Sequence, residues 1–162
     1  MPMITPQMAG GANICAVLDT LAFSEGTDNG RQVTYCHGYD VIVGGDTFKD
    51  FRDHPRVKVY IPRISDYSTA AGRYQLLARY WDAYRKQLNL PVFSPLAQDL
   101  VAIQQIRECK AIPLIQAGRI VEALTAMRSR WASLPGAGYG QHEQQISVLL
   151  QAYKQAGGSI AA

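Results

Sequence analysis

The spacing of apolar residues changes along this chain of 162 residues, and that change limits the folds open to it. In residues 13–25, Ile14, Val17, Leu18, Leu21 and Ala22 follow the i, i+3, i+4, i+7, i+8 spacing of one helix face, and Gly26 stops the run. Residues 30–64 read differently. They hold turn residues and β-branched runs, 39–43 followed by Gly44-Gly45, then 57–61 bounded by Pro55 and Pro62. Short strands in one or two hairpins are expected there. From Ser68 onward the helical spacing returns. Residues 71–88 put Tyr74, Leu77, Trp81, Tyr84 and Leu88 on one stripe. Ser94-Pro95 caps and opens a helix with Leu96, Leu100, Ile103 and Ile106 inward. Pro113 sets off a short helical turn. Residues 120–131 carry Ile120, Ala123, Leu124, Met127 and Trp131 on a buried face, 134–140 form a glycine-rich loop, and a last helix over 141–156 ends at Gly157-Gly158. A helix, a β lobe over about residues 30–64 and a helical lobe predict one α+β domain spanning 1–162, with a cleft between its lobes.

Composition removes several function classes. The 48% hydrophobic content and mean hydropathy of -0.10 are those of an ordinary globule. The net charge of +3 is far from the basic footprint of a nucleic-acid binder. It reads as ordinary surface charge, with attraction to an anionic polymer as the alternative, and Lys49, Arg52, Arg56 and Lys58 are its densest cluster. Cys15, Cys36 and Cys109 are odd in number and widely spaced, which speaks against a disulfide framework and for folding in a reducing compartment. His37, His54 and His142 are too scattered for a metal site, so neither metal nor cofactor is expected. Residues 1–11 lack the basic and apolar regions of a signal peptide, and Asp19 interrupts the apolar stretch that follows, so no membrane insertion is expected. Ser24 has no histidine and aspartate arranged for a serine hydrolase.

Glu25 is the most informative residue. With Ile14 at zero and 100° per residue, Leu18 falls at about 40°, Leu21 at about 340° and Glu25 at about 20°, in the middle of the apolar stripe. It also lies in the last helical turn, where the macrodipole opposes a negative charge. Partial burial acts in the same direction, so the carboxyl is expected to hold its proton near neutral pH, as a general acid requires. Helix geometry leaves a second role equally open, a structural glutamate bonded to a backbone N–H or to an arginine such as Arg31 or Arg73.

Five segments, in order, resemble the lambda-type endolysins of bacteriophages: 24–32, which begins Ser24-Glu25-Gly26-Thr27; 37–45, with Gly38-Tyr39-Asp40; 71–77, with Gly72-Arg73-Tyr74-Gln75; 81–88; and 131–141, with Gly138-Tyr139-Gly140-Gln141. The resemblance runs from about residue 16 to 158. It departs at Phe23, where a tryptophan is expected, at Ala70, where a glycine is expected, and at Tyr35-Cys36, which replace more polar residues. It implies a lysozyme-like fold and a lytic transglycosylase. Such an enzyme cleaves the bond between N-acetylmuramic acid and N-acetylglucosamine in peptidoglycan and leaves a 1,6-anhydromuramic acid end. The family's catalytic glutamate falls on Glu25.

The resemblance also implies substrate contacts from Tyr39, Asp40, Gly72, Gln75, Tyr139 and Gln141, with Gly72 to Gln75 opening a helix. Tyr74, Trp81 and Trp131 read as core aromatics, and Asp40 reads alternatively as a turn residue bonding backbone N–H groups. The expected partner is the peptidoglycan glycan strand. A monomer is expected to accumulate in the host cytoplasm and reach the wall once a holin opens the membrane. Two other readings stay open, a muramidase that admits water and recruits Asp40, Asp46, Asp50 or Asp53 as a second carboxylate, and a non-catalytic wall-binding protein.

Overall fold

The computed structural model describes residues 1–139 and 142–161. A short helix α1 (Pro6–Ala9) is capped by the Thr5 side chain and leads into α2 (Ala12–Glu25). A hairpin follows, β1 (Val59–Ile61) and β2 (Asp66–Ser68), antiparallel in the register Val59↔Ser68, Tyr60↔Tyr67, Ile61↔Asp66. A 3-10 turn, Pro62–Ile64, joins the strands. Five helices complete the chain: α3 (Ala78–Gln87), α4 (Pro95–Glu108), α5 (Ile112–Gln116), α6 (Ile120–Met127) and α7 (Ile146–Gln155).

The expected first helix forms, and it is the axis of the molecule. α1, α4, α5 and α7 all pack against α2. The predicted face of Ile14, Val17, Leu18, Leu21 and Ala22 is buried, and so are Ala16, Thr20 and Ser24 on its other sides. A helix covered nearly all round is a core helix rather than a surface one. Beyond it, Ile103, Ile106, Ile115, Ile120, Leu124, Met127, Leu149 and Tyr153 complete the main core. A second cluster gathers Trp81, Tyr84 and Val101 around Phe93.

Several sequence expectations are corrected. Residues 39–43 do not form a regular strand. They make isolated bridges, Val41 to Thr47 and Ile42 to Ala71, so the β region reaches past residue 64 into the seventies. Residues 71–77 are likewise not helical. Ala71 bridges both Ile42 and Leu76, and the intervening turn puts Gly72 at φ 81° and Gln75 at φ 51°, values no helix accepts. A Cβ on Gly72 would sit 2.2 Å from Gln98 Oε1, so the turn packs at backbone distance against α4. Helix α3 therefore starts only at Ala78.

The third correction concerns the face of α4. Leu96 is 38% exposed, whereas Gln98, Asp99 and Gln105 are buried. Gln98 Nε2 donates to the carbonyls of Tyr39 and Phe93, and Gln98 Oε1 accepts from the Arg73 N–H. These partners satisfy a polar side chain that periodicity assigns to solvent. Helix α6 ends at Met127, yet Trp131 is buried from the loop beyond it, and α7 begins at Ile146.

Candidate active site

Glu25 is the last residue of α2, and Gly26 follows as a left-handed cap whose N–H returns to the helix carbonyls of Ala22 and Phe23. Two residues on, Thr27 Oγ1 donates to the Arg73 carbonyl at 2.6 Å, with the Ala22 carbonyl also at 3.1 Å. The end of α2 is thereby fastened to the turn at 72–75. Gly38 closes over this junction, because a Cβ there would lie 2.9 Å from the Thr27 carbonyl.

The Glu25 carboxyl is half-buried. Its Oε1 accepts a 2.6 Å hydrogen bond from the Ser133 hydroxyl, which in turn lies 2.8 Å from the Ser24 hydroxyl. Ser24 Oγ also approaches the Ser133 carbonyl at 3.3 Å. Burial raises the pKa of Glu25 to about 7, against the opposing effect of the Ser133 hydroxyl and backbone N–H. Among the described residues no cation pairs with it. Arg73, one of the partners weighed from the sequence, is instead buried between Asp19 and Asp28, each at 2.6 Å, beneath the Tyr39 ring.

The other predicted site residues divide into two groups. Tyr39, Asp40, Gly72 and Gln75 come together, largely facing inward. Tyr39 is fully buried. Its hydroxyl donates to Asp99 Oδ1 at 2.7 Å and accepts from the Met3 N–H, so no ring face is left for a sugar. Asp40 is 2% exposed and accepts from the Thr34 hydroxyl and the Tyr35 N–H, which is the turn role. The Gly72 N–H donates to the Val41 carbonyl. Gln75 is half-buried, with its amide donating to the Gly72 carbonyl at 3.0 Å. Tyr39 and Asp40 thus hold the turns that flank the end of α2.

Tyr139 stands apart. It is 51% exposed, and its hydroxyl donates to the Ser129 carbonyl. The loop that carries it is held by Glu143, whose carboxylate accepts from the Gly136 and Gly138 N–H groups at 2.8 and 2.9 Å. Gln141 lies outside the described residues.

The remaining carboxylates weighed from the sequence are engaged by neighbours. Asp50 is bound by Arg52, and Asp53 by Arg56, Arg85 and the Trp81 indole N–H. Asp46 is exposed. The same pairs, with Arg56 also on Asp82, engage Arg52 and Arg56 of the basic cluster of 49–58. A hollow of about 620 Å³ beside it is lined by Phe48, Lys49, Asp50, Arg52, Asp53, His54 and Pro55 and does not include Glu25. Among the described residues no three His, Cys, Asp or Glu side chains gather as a metal site, and no helix is long and apolar enough to cross a membrane.

Sequence reasoning passed over Ser133 and Asp99. Ser133 lies in the 131–141 segment, but nothing in a single sequence couples it to a residue more than a hundred positions earlier. Asp99 is buried and accepts from two tyrosines and the Ile4 N–H, partners supplied from three separate regions.

A central buried helix, a small antiparallel hairpin beside a helical body, and an unpaired carboxyl at the end of that helix define a lysozyme-like protein. Comparison with solved structures agrees. Bacteriophage lambda lysozyme complexed with a chitohexasaccharide matches with a TM-score of 0.89 and 54% identity, covering 99% of this chain and 100% of that one. A second structure of lysozyme from bacteriophage lambda matches with a TM-score of 0.87 and 52% identity over the same shares. The Endolysin family model covers residues 15–160. The endolysin of Escherichia phage lambda is 58% identical over 146 residues, 90% of this chain and 91% of that protein. The endolysin of Escherichia phage P2 is 49% identical over 167 residues, 98% of each chain. This chain belongs to the endolysin family.

Proposed function

We propose that this protein is an endolysin that cuts the glycan strands of peptidoglycan as a lytic transglycosylase, with Glu25 as its one catalytic carboxylate. The observation that carries the reading is the setting of that group: half-buried, bonded to a neutral serine and free of any cation among the described residues, so that burial lifts its pKa to about 7. A neutral carboxylic acid at this pH can give its proton to a leaving oxygen.

The chemistry closes without water. Glu25 donates its proton to the glycosidic oxygen, and the C1–O bond breaks with its electron pair on that oxygen. The muramic residue's own N-acetyl group supports the electron-poor C1. Glu25, now a carboxylate, removes the proton from the C6 hydroxyl as O6 bonds to C1. The anhydro ring forms and the acid is restored. Because O6 belongs to the same sugar, its effective concentration is high and no second carboxylate is needed to place a nucleophile. Asp40 is buried and bonded to Thr34 and Tyr35, and the surface carboxylates Asp50 and Asp53 are paired with arginines, which supports this economy.

The chitohexasaccharide in the lambda lysozyme complex supports an amino-sugar polymer as ligand. Gln75 and Tyr139, which retain exposed surface, and Gln141 beside Tyr139 in sequence, are the side chains we assign to sugar contact. The turn at Gly72 is assigned to backbone contact. The protein acts as a monomer, is held in the host cytoplasm and meets the wall after a holin opens the membrane.

The name lysozyme carried by the lambda structures favours a second reading, hydrolysis by water with exposed Asp46 recruited as base. Mass spectrometry of purified murein digested by the protein separates the two. We expect glycan ends one water lighter than the reducing form. A digest made only of reducing ends overturns the transglycosylase assignment.

A further inference from the structure

The pair Ser24 and Ser133 is not used by the mechanism above, yet it touches the central group. Ser24 is on α2, one residue before Glu25, and Ser133 is on the loop after α6. Both are buried, at 5% and 7% exposure. Their hydroxyls lie 2.8 Å apart, and the Ser133 hydroxyl reaches Glu25 Oε1 at 2.6 Å. The Ser133 hydroxyl donates to Glu25 Oε1, which accepts both in the carboxylate and in the acid whose proton sits on Oε2. The Ser24 hydroxyl is then the donor that occupies the Ser133 oxygen and keeps its proton turned towards Glu25.

We propose that Ser133, oriented by Ser24, is a positioning residue for Glu25, holding Oε1 as an acceptor so that the other oxygen, Oε2, carries the proton exchanged with substrate. The inference rests on the assignment of Glu25 as the acid. The arrangement matters in both halves of the reaction. With Oε1 held, the carboxyl cannot swing away from the scissile bond. Once the proton has left, the Ser133 bond stabilises the carboxylate without adding a charge that would keep it ionised too strongly. A lysine or arginine in the same place would make the group a poor acid at neutral pH.

The surrounding charges leave the serine bond as the main polar influence. Asp19 and Asp28 are held by Arg73, Asp99 by two tyrosines, Arg130 by Glu108, and Glu143 by backbone N–H groups of its own loop. None of these makes a hydrogen bond or ion pair with Glu25. The raised value of Glu25 has burial as its cause and Ser133 as its counterweight.

The test is the pH profile of murein cleavage for Ser133→Ala, Ser24→Ala and the double variant, beside Glu25→Gln. In the wild type the alkaline limb reports loss of the Glu25 proton. Removing the Ser133 hydroxyl destabilises the carboxylate, so the limb is expected to move up by about one pH unit, with kcat at the optimum down about 10-fold and KM little changed. Ser24→Ala is expected to move the limb the same way by less, and the double variant to match Ser133→Ala. A limb that stays put or moves down in Ser133→Ala overturns the proposal, as does a double variant whose shift is the sum of two equal ones. Should Ser133→Ala not fold, Ser24→Ala decides alone, because it leaves both Ser133 and Glu25 in place, and an unmoved limb overturns the proposal. An active Glu25→Gln sinks the assignment of the acid itself. An inactive Glu25→Gln with an unmoved Ser133→Ala limb sinks only the role of the serines.

Discussion

Glutamine in place of Glu25 is expected to slow murein clearing by roughly 10³-fold while making the folded chain more resistant to heat above neutral pH. The first effect follows from removing the group that both gives and takes the proton, since an amide of the same shape does neither. The second follows from linkage. The ordinary value for Glu25 is 4.5 and the value in the fold is about 7. Between them the native state binds a proton that the unfolded chain does not. The stability contributed by the neutral acid is therefore complete below about pH 4.5 and is lost as the pH rises through about 7.

Above that window the wild type keeps a charge in a half-buried, unpaired position. One pKa unit corresponds to about 1.4 kcal/mol. With allowance for the partial exposure of the carboxyl, the penalty is on the order of 2–3 kcal/mol. Glutamine is neutral at every pH. Thermal unfolding of the two proteins at about pH 4 and about pH 9 is expected to show similar stability in acid and a variant more stable in base. Equal stability at both pH values contradicts the strain assigned to Glu25, and undiminished clearing contradicts its role.

The second large effect concerns Arg73. Its guanidinium is 1% exposed, binds Asp19 of α2 and Asp28 of the following loop at 2.6 Å each, and donates also to the His37 carbonyl. One side chain thus joins the central helix, the loop after Glu25 and the turn at 37–40. Arg73→Met removes the cation and leaves two carboxylates and a carbonyl around an apolar stem. Loss of one member of such a network costs about 3–5 kcal/mol, which in a chain of this size lowers Tm by roughly 6–20 °C. Arg73→Lys is expected to recover only part of this, because a single ammonium cannot present separate nitrogens to Asp19 and Asp28 as the planar fork does. A change within about 1 kcal/mol for Arg73→Met would mean that the network is balanced by its own desolvation.

Apolar spacing made the helices legible and left the polar contacts hidden. α2, α4 and α6 follow from period and capping residues, and Ser94 caps α4 through the Ala97 N–H as its position implies. Glu25 stood out because a charge on an apolar stripe is visible in one helix alone. The segment 71–77 deceived the periodic reading. Its aromatic and aliphatic residues do suit a helix face, but Gly72 and Gln75 adopt left-handed backbone conformations to meet Val41 and Gln98. Tyr39 and Asp40 were placed near the site by resemblance, and only the three-dimensional partners show them turned inward. Ser133 was legible as a residue and not as a contact, since its meaning depends on Ser24 and Glu25 at the far end of the chain. Local chemistry is written in the sequence, whereas the pairing of distant polar groups becomes visible only when the chain has folded.

Glu25 keeps its proton far above the ordinary carboxyl range, up to about pH 7. Carbon NMR of the Glu25 side-chain carboxyl, assigned by comparison with Glu25→Gln and followed through a pH titration of the intact protein, measures this directly. The expected midpoint is about 7. A midpoint at or below 4.5, the ordinary value, would contradict the account.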